Sequence, residues 1–417
     1  MPLLLYALAL AAFAIGTTEF VVVGLLPTLA DTLSVSVPTA GYLVTGYAAG
    51  VAIGGPVLAL AARRLPPRTT LLALMTLFSA GHLVMALAPD FPVLLVARLV
   101  TASAHGAFFG TGSVVAAAAV PQARRGAAIA LMFTGLSVAT VIGVPGGTLL
   151  GQHLSWRAPF AAVAILSAVA ALTLHRLLPG PQTAPAVGGP VAATRRAPAA
   201  LALALMTTVL GWGAIFVPYT FIAPYLETVS GFDQSAVTLL LLLFGTASAV
   251  GGVLGGRADD RHPLAALPVI LLLLATVLAL VRAADHSQAL TVILLIGWGV
   301  SAFALVPALQ ARVVTIAGPT STLAATLNIA AFNIGIAAGS ALGGVMVNAG
   351  RLRATPAAAA VVVLAAVIPA VLSHRMGRSC LPARQPLPDE HRRHARPTPR
   401  RHPDRRRLPE VRTPKRC

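Results

Sequence analysis

Charged side chains make up only 10% of the 417 residues, against a hydrophobic share of 57% and a mean hydropathy of +0.84. A soluble globule carries about 25% charged residues, so this composition excludes one and defines a polytopic membrane protein. Cysteine is nearly absent: Cys380 and Cys417 are the only two, both late in the chain, so no disulfide framework or cysteine metal cluster holds the fold. No Lys or Arg precedes Arg63, so the first apolar run lacks the basic start of a cleaved signal peptide and is expected to be a retained span. Paired acids at membrane depth, an HExxH helix and a Ser/Lys constellation are all missing. Their absence removes the intramembrane enzymes, and no metal or cofactor is expected.

What is present is a succession of apolar runs of spanning length, about 17 to 25 residues. Twelve lie between polar breaks, near 3–30, 40–62, 69–88, 92–119, 127–151, 158–175, 199–226, 236–256, 264–282, 289–311, 321–349 and 354–374. The expected fold is all-α: twelve transmembrane helices in two pseudo-symmetric six-helix bundles, residues 1–177 and 199–375. Between them, 178–198 is rich in Pro, Gly and Ala and reads as a cytoplasmic linker. The net charge of +18 divides into +10 for the first 379 residues and +8 for the rest. The segment 376–417 reads as a disordered basic tail. It is suited to anionic lipid headgroups, and with no aromatics interleaved among its arginines it is not expected to bind nucleic acid.

With the N-terminus cytoplasmic, thirteen arginines fall at the inner breaks: 63, 64, 68, 124, 125, 176, 195, 196, 257, 261, 312, 375 and 378. Only Arg157, Arg282, Arg351 and Arg353 fall outside. The imbalance implies a cell membrane with both termini on its cytoplasmic side. An ungapped offset of 197 residues lays Gly16 on Gly213, Pro27 on Pro224, Gly54-Gly55 on Gly251-Gly252, Arg64 on Arg261 and Gly146-Gly147 on Gly343-Gly344. The halves are therefore parallel repeats about an axis along the membrane normal. The same offset lays Glu19 on Phe216, His82 on Ala279, Arg98 on Leu295 and His105 on Ala302, so ionisable groups at depth belong to the first half alone.

Glu19 stands inside the run FAIGTTEFVVVGLLPTLAD, where a lone charge costs about 2.5 to 3.5 kcal/mol. It is a candidate proton site; the alternative is a glutamate that reaches the headgroups. Arg98 and His105 are seven residues apart and share a face of the fourth span. A Glu19–Arg98 pair would offset both insertion costs, with the carboxylate charged beside the arginine and protonated when separated from it or buried. His105 is either a second proton station or a neutral core histidine bonded to a carbonyl; for His82 the core reading is preferred. In the fifth span Gly143, Gly146 and Gly147 admit a close neighbour, and Pro145 removes a backbone donor where the helix can bend. Leu342 replaces that proline in the second half.

Gly16-Thr17-Thr18-Glu19-Phe20, Gly24-Leu25-Leu26-Pro27, Arg98 and Gly143-Val144-Pro145-Gly146-Gly147 together resemble the major facilitator superfamily. Within it the chain looks like the twelve-span drug:proton antiporters, its first half nearest their chloramphenicol-efflux branch, over about residues 3–375. The resemblance implies proton coupling at Arg98, an exchange-favouring antiporter motif at Gly143, Pro145, Gly146 and Gly147, and a proton or substrate role for Glu19. The family's loop motif keeps Arg63 and Arg64 here but lacks its acid, while Asp259, Asp260 and Arg261 are closer to the pattern. A cytoplasmic gate is thus expected on the second side.

Aromatics are few, at 5%, and Tyr47, Trp212, Phe216, Tyr219 and Trp298 are cavity candidates, the alternative for each being a lipid-facing anchor. Asn328, Asn333 and Gln310 either line the cavity or join helices. The expected function is efflux of a small hydrophobic, chloramphenicol-like drug by alternating access in a monomer. The proton gradient drives it, with at most one acid-borne proton per cycle. Export of sugars or other metabolites is the alternative within this fold, and a non-transporting sensor or scaffold the alternative outside it.

Overall fold

The computed structural model describes residues 2–121, 124–178, 197–284, 287–317 and 322–378; of the expected linker 178–198, residues 179–196 lie outside them, and of the expected tail 376–417, residues 379–417 do, while 197–198 and 376–378 belong to helices. The described chain is all helical, with twelve helices long and apolar enough to cross a membrane. In the first half these are α1 (Leu3–Thr32), α2 (Val37–Ala61), α3 (Pro67–Leu87), α4 (Phe91–Ala118), α5 (Arg125–Val138, continuing through Ala139–Gly143 into Val144–His153) and α6 (Ala158–Leu177). In the second they are α7 (Ala197–Tyr219), α8 (Gln234–Arg261), α9 (Ala266–Ala283), α10 (Gln288–Ala317), α11 (Thr322–Asn348) and α12 (Thr355–Arg378).

Helix ends depart from the hydropathy pattern in three places. The apolar run carries the seventh span to 226, but the helix ends at Tyr219 and a separate short helix, Ile222–Thr228, follows. Pro218 and Pro224 each remove a backbone donor around the break, and the Thr220 hydroxyl is bonded to Ser340 of α11. The eighth span runs on to Arg261, placing Asp259 and Asp260 in its last turns rather than in a loop. The tenth runs to Ala317, so Arg312 is a helix residue bonded to Ser373 of α12, not a loop charge.

Two helices of the first half widen by one residue per turn: Gly50–Gly54 in α2 and Ala139–Gly143 in α5. Each wide turn is followed two residues later by a proline, Pro56 or Pro145. The proline offers no N–H to the carbonyl four residues back, and the ladder closes instead with an i→i−5 bond, Gly55 N–H to Gly50 O and Val144 N–H to Ala139 O. Their repeat partners, Val253 and Leu342, stand in unbroken α8 and α11.

The repeat is visible in the contacts. A Cβ on Gly54 would meet Ser103, and one on Gly251 would meet Val300; the 197-residue offset carries the first pair onto the second. Gly16 lies on Leu136 and Ala139 of α5, and its counterpart Gly213 lies on Gly335 of α11, where a Cβ would come 2.6 Å from the Gly335 carbonyl oxygen.

The halves join at one end and part at the other. A single buried cluster takes in Phe20, Leu25, Leu29, Leu43 and Phe160 from the first half and Phe216, Phe221, Leu241 and Trp298 from the second. The Phe221 ring fills a notch between Gly41 of α2 and Gly343 of α11, 2.7 Å from where a Gly41 Cβ would stand. Gln234 donates to Thr28 at 3.4 Å, and Thr238 donates to Gln152 at 2.8 Å. Nearer mid-membrane, Gly245 of α8 rests on the Thr140 carbonyl within the wide turn of α5. Toward the opposite end one apolar cluster gathers first-half residues such as Leu8, Phe78, Phe108 and Leu174, and another gathers Ala204, Val313 and Ala324. Among the described residues no buried cluster bridges them there.

Glu227, half-buried on the short helix at the sealed end, has its pKa raised first by burial and then by Asp31 at the end of α1. A carboxylate whose pKa is higher folded than unfolded stabilises the fold most in acid and loses that contribution as pH rises through the folded value. Glu227→Gln is accordingly expected to raise the melting temperature in detergent at pH near 7.5 and to leave it unchanged near about pH 4, where the native acid is protonated. Equal melting at both pH values would contradict this.

Candidate functional site

Glu19 lies mid-way along α1 and is only 8% exposed, enclosed by protein rather than set among headgroups. The glycine run of α5 is why α1 sits so close. Gly143 faces the Thr17 side chain and Gly147 faces Val21, where a Cβ would come within 2.6 Å, so the two glycines receive one face of α1 a helical turn apart, and Glu19 points from the opposite face. Pro145 is buried beside the wide turn, while a Cβ on Gly146 would meet open space.

Arg98 is fully buried, and its guanidinium is satisfied mainly by main chain. Nε donates to Leu43 O at 2.8 Å, Nη1 to Thr18 O at 3.1 Å and Nη2 to Glu19 O at 3.3 Å. The Tyr47 ring lies 4.5 Å from its centre. The expected side-chain pair is thus replaced by a main-chain clamp: among the described residues no ion pair joins Arg98 to the Glu19 carboxylate. Carbonyls of two helices satisfy the buried cation, and the carboxylate remains within electrostatic reach of Arg98, Tyr47 and Tyr219.

Both histidines belong to the same network. His105 Nδ1 is 3.1 Å from the Tyr47 hydroxyl, so its partner is a side chain rather than a carbonyl. His82 bonds through Nδ1 to Phe78 O at 2.7 Å and through Nε2 to the Thr18 hydroxyl at 2.8 Å. Tyr47, a cavity candidate by sequence, therefore belongs to this polar network of α1 to α4.

Beside Glu19 the chain builds an aromatic chamber between the halves. Phe20 of α1 meets Phe216 at 6.1 Å and Tyr219 at 6.4 Å between ring centres. Trp212 packs edge-on against Phe303 of α10 at 5.3 Å and Phe332 of α11 at 5.4 Å, and Tyr219 stacks on Phe244 of α8 at 4.9 Å. Trp298 stands behind, edge-on to Tyr219 and Phe244. The space left is about 10 Å³, room for roughly one water. Trp212, Phe216 and Tyr219 are legible in sequence as i, i+4, i+7 positions on one helix face. Phe20, Phe244, Phe303 and Phe332 are single residues on separate helices with no such signal.

Asn328 and Gln310 serve as interhelical ties: Asn328 accepts from Thr208 at 2.8 Å and donates to Gln310 at 2.7 Å. Asn333 donates to Ile329 O in its own helix, leaving its Oδ1 buried without a partner. The gate candidates are not gathered. Arg64, Asp260 and Arg261 are exposed, Asp259 is half-buried, and among the described residues none of them forms an ion pair; the Arg63 side chain lies outside that set.

Two repeated bundles that meet at one end and part at the other are the build of a transporter that opens to alternate sides of a membrane. Comparison with known proteins agrees: a profile of the Major Facilitator Superfamily matches residues 8–328, and the chain belongs to that family. It is 41% identical over 348 residues to the inner membrane transport protein YdhP of Escherichia coli (strain K12), covering 83% of this chain and 89% of that one. It is 40% identical over 377 residues to a chloramphenicol resistance protein of Streptomyces lividans, covering 88% and 96%. Among solved structures, a bacterial homologue of the human lysosomal transporter Spinster, inward-facing and unoccupied, has a TM-score of 0.71 at 18% identity, covering 92% and 98%. A D-xylose-proton symporter gives 0.71 at 15% identity, covering 88% and 96%. These structures share the fold. The chain is a twelve-span membrane transporter and not an enzyme.

Proposed function

We propose that this transporter exports small apolar drugs, chloramphenicol-like compounds first, in exchange for protons, with both termini cytoplasmic. The observation that carries the reading is the adjacency of one buried carboxylate, Glu19, to an aromatic chamber shared by both halves. The Streptomyces lividans relative, by its name, supports the drug class. With the arginine-rich end inside, the sealed end faces out and the chain is inward-facing. Drug entering from the cytoplasmic side parts Phe20 from Phe216, because a chamber of about 10 Å³ is far below the roughly 300 Å³ or more of a drug site. Glu19 gives its proton to the inside as drug loads; after the halves rock, it takes a proton from outside as drug leaves. Arg98 supplies the fixed positive charge against which the carboxylate changes state. A sugar site needs many side-chain hydrogen-bonding groups, and the chamber walls are aromatic and aliphatic.

The test is chloramphenicol movement in liposomes holding the purified protein, with and without an imposed proton gradient. The proposal expects gradient-driven movement that stops when a protonophore collapses the gradient, with one proton exchanged per neutral drug. Drug flux indifferent to the gradient, or an equal response to D-xylose, would remove it.

A further inference from the structure

The role proposed for Glu19 leaves His82 without a task, yet its hydrogen bonds are fixed by what each partner can do. Phe78 O only accepts, so His82 Nδ1 carries the hydrogen between them. In the neutral ring Nε2 is then an acceptor, and the Thr18 hydroxyl donates to it. The hydroxyl oxygen in turn faces Arg98 Nη1 at 3.5 Å, beside the 3.1 Å bond from the same nitrogen to Thr18 O. Other threonines in these helices turn to the carbonyl four residues back: Thr17 to Phe13, Thr148 to Val144 and Thr207 to Leu203. Thr18 makes no such bond to Ala14 among the described residues; it reaches across to α3.

We infer that His82 is a positioning residue for the transport step: it draws the Thr18 proton toward α3, aims the Thr18 oxygen at Arg98, and so keeps the guanidinium on main-chain carbonyls and off the Glu19 carboxylate. This rests on the proton role proposed for Glu19. Without the imidazole, Thr18 turns back to the Ala14 carbonyl as its neighbours do. Arg98 Nη1 then lacks one acceptor, and the Glu19 carboxylate, already within its electrostatic reach, takes that place. An acid paired to an arginine keeps its charge into more acidic solution, so loading the proton demands a lower pH. The other ionisable groups within electrostatic reach of Glu19 are Tyr47 on α2 and Tyr219 on α7, and His105 on α4 stands behind Tyr47, bonded to its hydroxyl. Those of α5, α6 and α8, with Arg124 just before α5, lie at the helix ends: His153, His175, Arg176, Arg257, Asp259, Asp260 and Arg261.

The experiment is the pH profile of chloramphenicol transport in liposomes for native protein, His82→Phe, His82→Gln, Thr18→Val and Glu19→Gln. His82→Phe is expected to shift the profile to the acid side by about one pH unit or more. Gln presents an acceptor where Nε2 stood and is expected to restore the native profile. Thr18→Val cuts the same bond at similar volume and should shift as His82→Phe does, which keeps the test alive if the aromatic variant fails to accumulate. An unshifted profile in both His82→Phe and Thr18→Val, or a shift in His82→Gln as large as in His82→Phe, overturns the inference. A native profile in Glu19→Gln overturns the underlying reading instead, so the two failures are separable.

Discussion

Glu19→Gln is expected to reduce gradient-driven drug export to background while the protein still inserts at its normal level. Glutamine keeps the volume and a polar end but cannot carry the proton. Removing a positioned proton-transfer group costs roughly 100-fold or more in rate. The fold should tolerate the change, because Arg98 is held by the carbonyls of Leu43, Thr18 and Glu19, and the Glu19 carbonyl survives the substitution. Membrane abundance by immunoblot and drug accumulation in whole cells, measured together, decide it. Full export by the glutamine variant takes Glu19 out of the transport cycle, whereas loss of the protein from the membrane would mean that the carboxylate has a structural task.

Two glycines, each meeting a backbone carbonyl, should fail in different ways when replaced by valine. Gly339 packs within the second half, on the Gly213 carbonyl of α7, with that carbonyl carbon 2.9 Å from where a Cβ would stand. Gly339→Val forces α7 and α11 apart. Overpacking costs about 1 to 3 kcal/mol even where side chains can yield, and a backbone yields less, so little folded protein is expected. Gly245 instead meets the Thr140 carbonyl of the other half. On the proposed alternating-access cycle, that contact belongs to the sealed arrangement and is released when the halves part. Gly245→Val should therefore accumulate normally yet fail to complete the cycle, with labelling of an introduced cysteine at the sealed end increased. Matching abundance losses in both variants, or native transport by Gly245→Val, would show that the two contacts do not differ in this way.

Hydropathy made the twelve spans legible because a membrane helix must be apolar along most of its length. It misplaced their ends where charge and helix coexist. Asp259, Asp260, Arg261 and Arg312 read as loop residues, although a helix projecting beyond the apolar layer carries such groups freely. The break after Tyr219 sits inside an unbroken apolar run and depends on prolines whose effect varies with their surroundings. At the site, the offset of 197 singles out Glu19, Arg98, His82 and His105 as groups without counterparts, and all four are buried among α1 to α4. A Glu19–Arg98 pair is the arrangement suggested when side chains are weighed only against side chains. Main-chain carbonyls are present at every position and therefore carry no sequence signal, and here they hold the arginine. The chamber was half legible for a similar reason: three aromatics on one helix form a pattern, whereas single phenylalanines on four helices meet only once the bundle has folded.

The chamber's walls come unequally from the two halves. Of the lining residues only Phe20 belongs to the first half; Trp212, Ile215, Phe216, Tyr219, Phe244 and Phe303 all belong to the second. Every buried ionisable group of the network, in contrast, stands between α1 and α4. On the proposed function, cargo preference and energy supply lie in separate stretches of the gene, and substitutions after residue 200 are expected to change what is carried without disturbing the proton step encoded before residue 110.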